Sequence, residues 1–471
     1  RNKHAQHFNG SRKRDVLLCF YDGEQEIARM MEVQRQAYAD CYPLVVRTGR
    51  RRVGKTSLVY RLMQETEADA PELYFFVGRK TESVLVQTFA EEVRTKLGEF
   101  VPEGISSMRG LMQLLLEIGR RRRFTVFMDE FQEWDNVNAG VLSDIQELWD
   151  KYKKETNVCL VVSGSIFRMM EKIFKDEQQP LFGRDDCTIR LMPFSTHTIC
   201  EILRDHNPNY TNDDLLALWT ITGGVARYIE LLMNNGCTTA RKMIHYVCSS
   251  GDSFFVNEGK NILIQEFGKQ YGTYFSILGQ IARGDVTQSE IEAATGMKSL
   301  GGQMKVLEEN YGIIRKKRPI GAKEGSQTVR FEIQDNFLRF WFRYMYRYAS
   351  LLELQNMQAL EKIMTDDYST FSGIALERWF RQRLTESSRY LRIGAWWKSG
   401  GKNIKENADD FEIDIVAETI DGDVEIYEVK RNAQKYNPAR LAEKVAEMQQ
   451  HTFRNKDIAT KGLSMDNMEE V

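Results

Sequence analysis

No cysteine pairing motif occurs in the sequence. Its seven cysteines, Cys19, Cys41, Cys159, Cys187, Cys200, Cys237 and Cys248, are odd in number, widely spaced and nowhere form a CxxC. This argues against a disulfide scaffold and for reduced, mostly packing thiols in a cytoplasmic protein. There is also no uncharged apolar run approaching the ~18 residues of a membrane span. The opening RNKHAQHFNGSRKRD carries no apolar signal core and reads as a polar, basic lead before the first fold element. Nor is there an excess of one charge. The 67 acidic residues nearly cancel the 65 Lys and Arg, so no bulk positive field advertises nucleic acid, although local patches remain open. What the chain does have is length: 471 residues exceed one hydrophobic core and imply roughly two to four domains.

The strongest local signal is CYPLVVRTGRRRVGKTSLVYRLM. An apolar strand, Leu44 to Val46, runs into a glycine-containing loop, and an amphipathic helix follows with Leu58, Val59 and Leu62. Gly49, Arg50, Arg51, Arg52, Val53, Gly54, Lys55, Thr56 and Ser57 match the phosphate-binding loop GxxxxGK[ST] in the strand, loop and helix context it requires. The spacing follows from the chemistry of ATP or ADP with Mg2+. Glycines let the backbone wrap phosphate oxygens, amides at the helix start donate to them, Lys55 spans the β and γ phosphates, and the Thr56 hydroxyl holds Mg2+.

A second strand, Phe124 to Met128, ends in Asp129 and Glu130. In an open parallel sheet such an end lies at the carboxyl edge, where ligands bind. Asp129 then orients Mg2+ or its water, and Glu130 polarises the attacking water. Strands at Glu72 to Val77 and Val158 to Val162 alternate with helices at Ser83 to Leu97, Ile105 to Arg120 and Val141 to Tyr152, as in a doubly wound domain. The SGS after VCLVV offers Ser163 or Ser165 as a polar sensor of the γ phosphate, or a plain turn. Arg184, just before a predicted strand, is either an arginine that contacts phosphate from a neighbouring subunit or lid, or an ordinary ion-pairing surface residue.

Residues 195 to 250 repeat apolar positions at helical spacing and suit a helical lid. Three helix candidates follow, one of them opened by Thr287 and closed by Gly296. Two short strands around the basic KKR then complete a winged helix pattern. Its third helix and wing suit a DNA groove and phosphate, with Lys298, Lys305, Arg315, Lys316, Lys317 and Arg318 as the basic surface, or else the module is a protein contact or spacer. The aromatics of DNFLRFWFRYMYRY sit at core-packing rather than base-stacking density.

Near the C-terminus, FEIDIVAET places Asp414 in a strand, and a turn at Asp421 and Gly422 leads to VEIYEVKRN. Period two puts Glu428 and Lys430 on one side of that strand. Asp414 followed by Glu428-x-Lys430 is the D...ExK pattern of restriction-endonuclease-like folds. There the acids hold Mg2+ and the lysine orients water or stabilises the phosphorane. Glu377, on the preceding helix, is a further ligand candidate. The same acids serve equally as structure in a silent nuclease-like fold.

With FYDGEQEIARM, TGRRRVGKTSL, VFMDEFQ, VVSGS, PLFGR, LMPF and ITGGVARYIELL in place, the chain resembles the archaeal and bacterial AAA+ type ATPases that carry a C-terminal DUF234, nuclease-like domain. The resemblance implies nucleotide and Mg2+ roles for Lys55, Thr56, Asp129 and Glu130, and a sensor role for Ser163 through Ser165. It makes Arg227, in GG-x-x-R-Y, a lid sensor or else a structural arginine. Ala226 stands where the family often has proline, and FYDGEQEI lacks the arginine usual in the family's N-terminal box.

The expected fold is an α/β P-loop NTPase of AAA+ type with a helical lid, a winged helix domain and a C-terminal restriction-endonuclease-like α/β domain. The expected boundaries are 15–194 for the ATPase core, 195–255 for the lid, 256–335 for the winged helix, 336–370 for a helical connector, 371–450 for the nuclease-like domain and 451–471 for a tail. Two functions fit: an ATP-driven, DNA-acting enzyme with metal-dependent nuclease chemistry, or an ATP-dependent switch that binds protein partners. Both admit a homo-oligomer, and neither involves a membrane.

Overall fold

The computed structural model describes residues 28, 32, 44–48, 52–54, 70–267, 271–284, 287–322, 329–398, 411–454 and 456–470. The chain forms two compact units, Arg1–Met192 and Pro193–Val471.

Five strands build the sheet of the first unit: β1 (Leu44–Thr48), β2 (Glu72–Phe76), β3 (Phe124–Asp129), β4 (Val158–Gly164) and β5 (Cys187–Arg190). They lie in the order β2-β3-β4-β1-β5, and every neighbouring pair is parallel. Every residue of FTVFMD and VCLVVSG is buried, as central parallel strands covered by helices on both faces require. Helices α1 (Glu82–Leu97) and α2 (Met108–Gly119) connect β2 to β3. Leu85, Val86, Phe89, Val93 and Leu97 form the buried stripe of α1, with Phe89 stacked on Phe75 at 4.4 Å. Helix α2 starts where the Ser107 hydroxyl accepts the Gly110 amide at 3.2 Å. Helices α3 (Trp134–Asn138) and α4 (Gly140–Tyr152) connect β3 to β4, and α5 (Phe167–Lys175) connects β4 to β5. Because all strands run the same way, the ends of β1, β3 and β4 gather at one edge.

The second unit opens with four helices, α6 (Thr196–His206), α7 (Asn212–Thr222), α8 (Ala226–Asn234) and α9 (Ala240–Val247). Helix α7 starts on a capping box of Thr211 and Asp214 and is buried from Asp214 to Thr222. Helices α10 (Phe254–Phe267), α11 (Tyr271–Ile281), α12 (Gln288–Thr295) and α13 (Gly301–Lys305) follow. Helix α12 begins and ends where expected, with a Thr287–Glu290 capping box and Gly296 at φ 71°. Strands β6 (Ile314–Lys317) and β7 (Arg330–Ile333) pair antiparallel as the expected two-strand ribbon. Phe337, Phe340, Phe342 and Tyr344 are all buried, so this aromatic run is core.

The last part runs through α14 (Asn336–Trp341), α15 (Ala349–Glu353) and the long α16 (Met357–Glu386). Strands β8 (Tyr390–Trp397), β9 (Glu412–Thr419) and β10 (Val424–Val429) then form an antiparallel meander. Helix α17 (Pro438–Gln449) crosses over to β11 (Ile458–Leu463), which pairs parallel to β10.

Two expectations change. The 370/371 boundary falls inside α16, a single uninterrupted helix. The tail expected at 451–471 contains β11, an edge strand, and Trp379 Nε1 donates to the Met468 carbonyl at 2.9 Å. The expected lid also packs against the expected connector and C-terminal sheet within this unit. Trp219 Nε1 donates to the Ala375 carbonyl at 3.0 Å, and Arg431 pairs with Asp213 at 2.7 Å.

The described cysteines Cys159, Cys187, Cys200, Cys237 and Cys248 are buried free thiols, and burial pushes Cys159, Cys200 and Cys248 up to about 12. Among the described residues no helix is long and apolar enough to cross a membrane.

Candidate active sites

Asp129 is the last residue of β3, in register with Phe76 of β2. Its Oδ2 accepts the Tyr74 hydroxyl at 2.7 Å, and its Oδ1 accepts the Glu130 amide at 3.0 Å. The chain then turns sharply. Glu130 adopts φ 55°, left-handed for a residue other than glycine, at a cost on the order of 1 kcal/mol. This kink opens a short 3-10 turn at Phe131–Glu133 and turns the Glu130 carboxylate toward the end of β4. There Ser165 Oγ donates to Glu130 Oε2 at 2.7 Å, and Gln132 Nε2 donates to the same oxygen.

Gly164 makes this approach close enough. A Cβ at that position would lie 2.4 Å from Gln132 Oε1 and 2.5 Å from Met170 Cγ. Ser163 Oγ and Gln132 Oε1 are buried without a hydrogen-bond partner among the described residues. The structure therefore brings Asp129, Glu130 and Ser165 together at the carboxyl edge. Arg79, which the sequence pattern did not single out, adds a clamp. It donates to the buried Glu133 at 3.0 Å and ties the loop after β2 to the turn after β3. The only hint in the sequence is its place just beyond a strand end.

Within the phosphate-binding loop the described residues are Arg52, Val53 and Gly54. Arg52 has φ 70° and Gly54 φ 96°, left-handed backbone that glycine adopts without strain at position 54. Gly49, Arg50, Arg51, Lys55, Thr56 and Ser57, with the helix after them and the N-terminal box, lie outside the described residues. Of the expected Mg2+ ligands, Asp129 has the hard carboxylate oxygens that suit the ion.

Arg184 stands at the other edge of this sheet. It precedes β5, and its Nε and Nη2 donate to Asp150 Oδ2 at 3.1 and 2.9 Å, near the end of the helix that leads into β4. Burial pushes the Asp150 carboxyl up, but the Arg184 hydrogen bond and charge outweigh it and hold the group below its ordinary value. Parallel strands put their starts and their ends at opposite edges, so Arg184 is not brought to Asp129 and Glu130 of its own chain. Arg227 belongs to the second unit, in the first turn of α8, and pairs with Glu230 at 2.7 Å.

The second cluster lies on α16, β9, β10 and α17. The hairpin between Thr419 and Asp423, with Gly422 at φ 91°, sets the register that pairs Tyr427 with Ile415. One step on, Asp414 stands across from Glu428. Asp414 Oδ2 accepts the Val429 amide at 2.7 Å and lies 3.8 Å from Lys430 Nζ. Glu428 Oε1 lies 3.0 Å from Lys430 Nζ and 3.2 Å from Lys444 Nζ, whereas Glu428 Oε2 is buried with no partner among the described residues. Arg381 donates to the Asp414 carbonyl at 2.6 Å and lies 3.6 Å from Glu377. Burial, then the charge of Asp414, pushes Glu377 up to about 8. Burial also raises Asp414 despite Lys430, while the acids raise Lys430 against the opposing effect of its own burial.

Asp414 and Glu428 offer hard oxygens, and the orphaned Oε2 is an acceptor awaiting a partner, so this pair fits a Mg2+-like cation. The expected trio with Glu377 does not close. Among the described residues no three Asp, Glu, His or Cys side chains are gathered as a metal would need, and Glu377 sits beside Arg381 instead. Lys444 and Arg381 were missed in the motif. The signal for Lys444 was there: Leu441, Lys444, Val445 and Met448 share one helical face, and all four are buried.

The basic residues of the expected winged helix are largely paired. Arg315 bonds Glu332, Lys316 meets Glu308 at 2.7 Å, and Lys305 meets Glu309 at 3.6 Å.

Comparison with known proteins matches two stretches of the chain. Residues 20–232 match the family model described as an ATPase domain predominantly from Archaea, and residues 341–442 match DUF234, described as archaeal and bacterial proteins of unknown function. An uncharacterized protein of Methanocaldococcus jannaschii is 26% identical over 390 residues, 81% of this chain and 82% of its own. Among solved structures, the Walker-type ATPase of Pyrococcus abyssi superposes with TM-score 0.51 at 18% identity, over 69% of this chain and 96% of that one. The ORC2 protein of Aeropyrum pernix, solved with ADPNP and ADP, gives TM-score 0.45 at 10% identity, over 70% and 93%. The Pyrococcus likeness is one of fold, and the ATPase assignment of residues 20–232 comes from the family model.

Proposed function

We propose, for a chain that belongs to the archaeal and bacterial ATPases ending in a DUF234 domain, that Mg2+-dependent ATP hydrolysis in the first unit drives a conformational change in a DNA-acting second unit. The observation that carries the ATPase reading is Glu130. Its carboxylate is turned out of β3 next to Asp129 and held by Ser165 and Gln132, as a group that orients a water for in-line attack must be. Lys55 and the loop amides would hold the phosphates, and Thr56 and Asp129 would hold Mg2+, which when bound would balance phosphate charge. Glu130 orients the water and accepts its proton as the γ-phosphoryl group passes to it and ADP leaves. Ser165 fixes the rotamer of Glu130. Arg227 is a lid sensor, and Arg184 acts on phosphate only from a neighbouring subunit of a homo-oligomer.

For the second unit, the order of α16, a three-strand meander, α17 and a parallel fourth strand supports a restriction-endonuclease-like module, with the ribbon and α11 to α13 as a winged helix. Asp414 and Glu428 then hold the cation, and Lys430 meets phosphate. A second reading, an ATP-dependent switch with a catalytically silent module, draws support from the lysines on Glu428 and the acids paired with the basic ribbon.

Mg2+-dependent cleavage of linear, circular and single-stranded DNA, with and without ATP, separates the two. ATP-sensitive cleavage by the parent that Asp414→Ala abolishes and Lys55→Ala uncouples from ATP supports the nuclease. Intact ATP turnover with no cleavage leaves the switch or a DNA-binding ATPase, and makes the C-terminal motif structural.

A further inference from the structure

Lys444 sits on the apolar face of α17 with its ammonium group out of bulk water, a costly placement unless an anion receives it. Glu428, equally buried, receives it. Lys430 and Lys444 both reach the same oxygen, Oε1, at 3.0 and 3.2 Å, while Oε2 is buried and has no partner among the described residues. A clamp that served only to fasten α17 to β10 would have both oxygens of so buried a carboxylate satisfied. Here one oxygen is doubly paired and the other has no partner among the described residues, while on the neighbouring strand Asp414 Oδ2 is engaged by the Val429 amide.

We propose that Lys444 is a positioning residue of this cluster, a built-in counter-ion on Glu428 that competes with a divalent cation and keeps its affinity low. This rests on the reading of Asp414 and Glu428 as a cation site. Two like charges cannot both crowd Glu428 and a divalent ion without repulsion, so the cation binds well only when Lys444 and Lys430 are drawn toward another anion. A phosphodiester is the anion whose chemistry matches: it recruits ammonium groups and brings oxygens of its own to the metal. Cation binding and phosphate binding are then mutually reinforcing, and the site stays weakly metallated without substrate.

The test is Mn2+ titration of the nucleotide-free full chain by calorimetry, alongside melting temperature against Mn2+. The proteins are the parent, Lys444→Met, Lys444→Gln and Lys444→Arg, each with and without Asp414→Asn. The expected result is Asp414-dependent binding that tightens at least about tenfold in Lys444→Met and Lys444→Gln and stays near the parent in Lys444→Arg. Mn2+ should also raise the melting temperature of the neutral variants more than that of the parent. Asp414-dependent binding that is unchanged or weaker in both neutral variants overturns the counter-ion role and leaves Lys444 a structural clamp. If no protein shows Asp414-dependent binding, the cation reading itself falls and the proposal with it. The use of two neutral variants of different length keeps the result readable if one of them folds poorly.

Discussion

Ser165 donates a 2.7 Å hydrogen bond to Glu130 across the ends of two neighbouring parallel strands. The contact exists because Glu130 leaves β3 through left-handed backbone while Gly164 lets β4 pass close to Gln132. In Ser165→Ala that carboxylate keeps the Gln132 amide but loses a hydroxyl donor. A hydrogen bond to a charged group contributes about 1.5–3 kcal/mol. ATP turnover is therefore expected to fall by about tenfold or more, with ATP affinity within a factor of a few of the parent. Steady-state phosphate release and nucleotide titration check both halves, and an affinity loss as large as the rate loss would place Ser165 in binding rather than in orientation.

Glu332 on β7 and Arg378 on α16 form a buried pair at 2.9 Å, with Arg315 on the same carboxylate and Arg378 also donating to the Ile333 carbonyl at 2.7 Å. Removing one partner strands a buried charge, so Glu332→Gln and Arg378→Met are each expected to cost about 3–5 kcal/mol, and the double variant less than their sum. Burial pushes the Glu332 carboxyl up, but Arg378 and then Arg315 outweigh it and hold it well below the usual carboxylate range. A group depressed in the folded state contributes stability above its unfolded pKa and loses it as pH falls toward the folded value. The parent should therefore lose stability progressively below about pH 4.5, the ordinary Glu value. Glu332→Gln should show a shallower acid slope. Denaturant melts between pH 3 and 7 measure it, and equal slopes would remove Glu332 as the source.

Truncation after Gln450 deletes β11, exposes the open edge of β10 and frees the indole of the fully buried Trp379 from the Met468 carbonyl. An uncovered hydrophobic strand edge is a template for association. The shortened protein is expected to melt earlier and to aggregate, read by thermal denaturation and light scattering. Parent-like melting would make β11 dispensable.

These elements differ in how legible they were. Strands β3 and β4 are continuous apolar runs, and α12 is bracketed by Thr287 and Gly296, so pattern and capping chemistry located them. The acids at the ends of strands followed, because a parallel sheet fixes which edge a strand end occupies. Strand β11 escaped because its IATKGL lies at a sheet edge with only Leu463 buried, which erases the alternation that marks a half-buried strand. The 370/371 boundary failed because α16 changes partners along its length, from α9 to the C-terminal sheet, without breaking. Lys444 shares the periodicity of the apolar face of α17, but a lysine there reads as solvated until a carboxylate from a strand is known to face it. Arg184 lay at an edge the sequence implied, yet the ion pair with Asp150 depends on a helix end far away in the chain.

The most direct test of the account is phosphate release from Mg-ATP by the parent, Lys55→Ala and Glu130→Gln, measured beside ATP binding. The account predicts turnover in the parent and little in Lys55→Ala. Glu130→Gln should bind ATP like the parent while its turnover falls by about 10²–10⁴, the range a positioned general base supplies. Turnover in Glu130→Gln equal to that of the parent would contradict it.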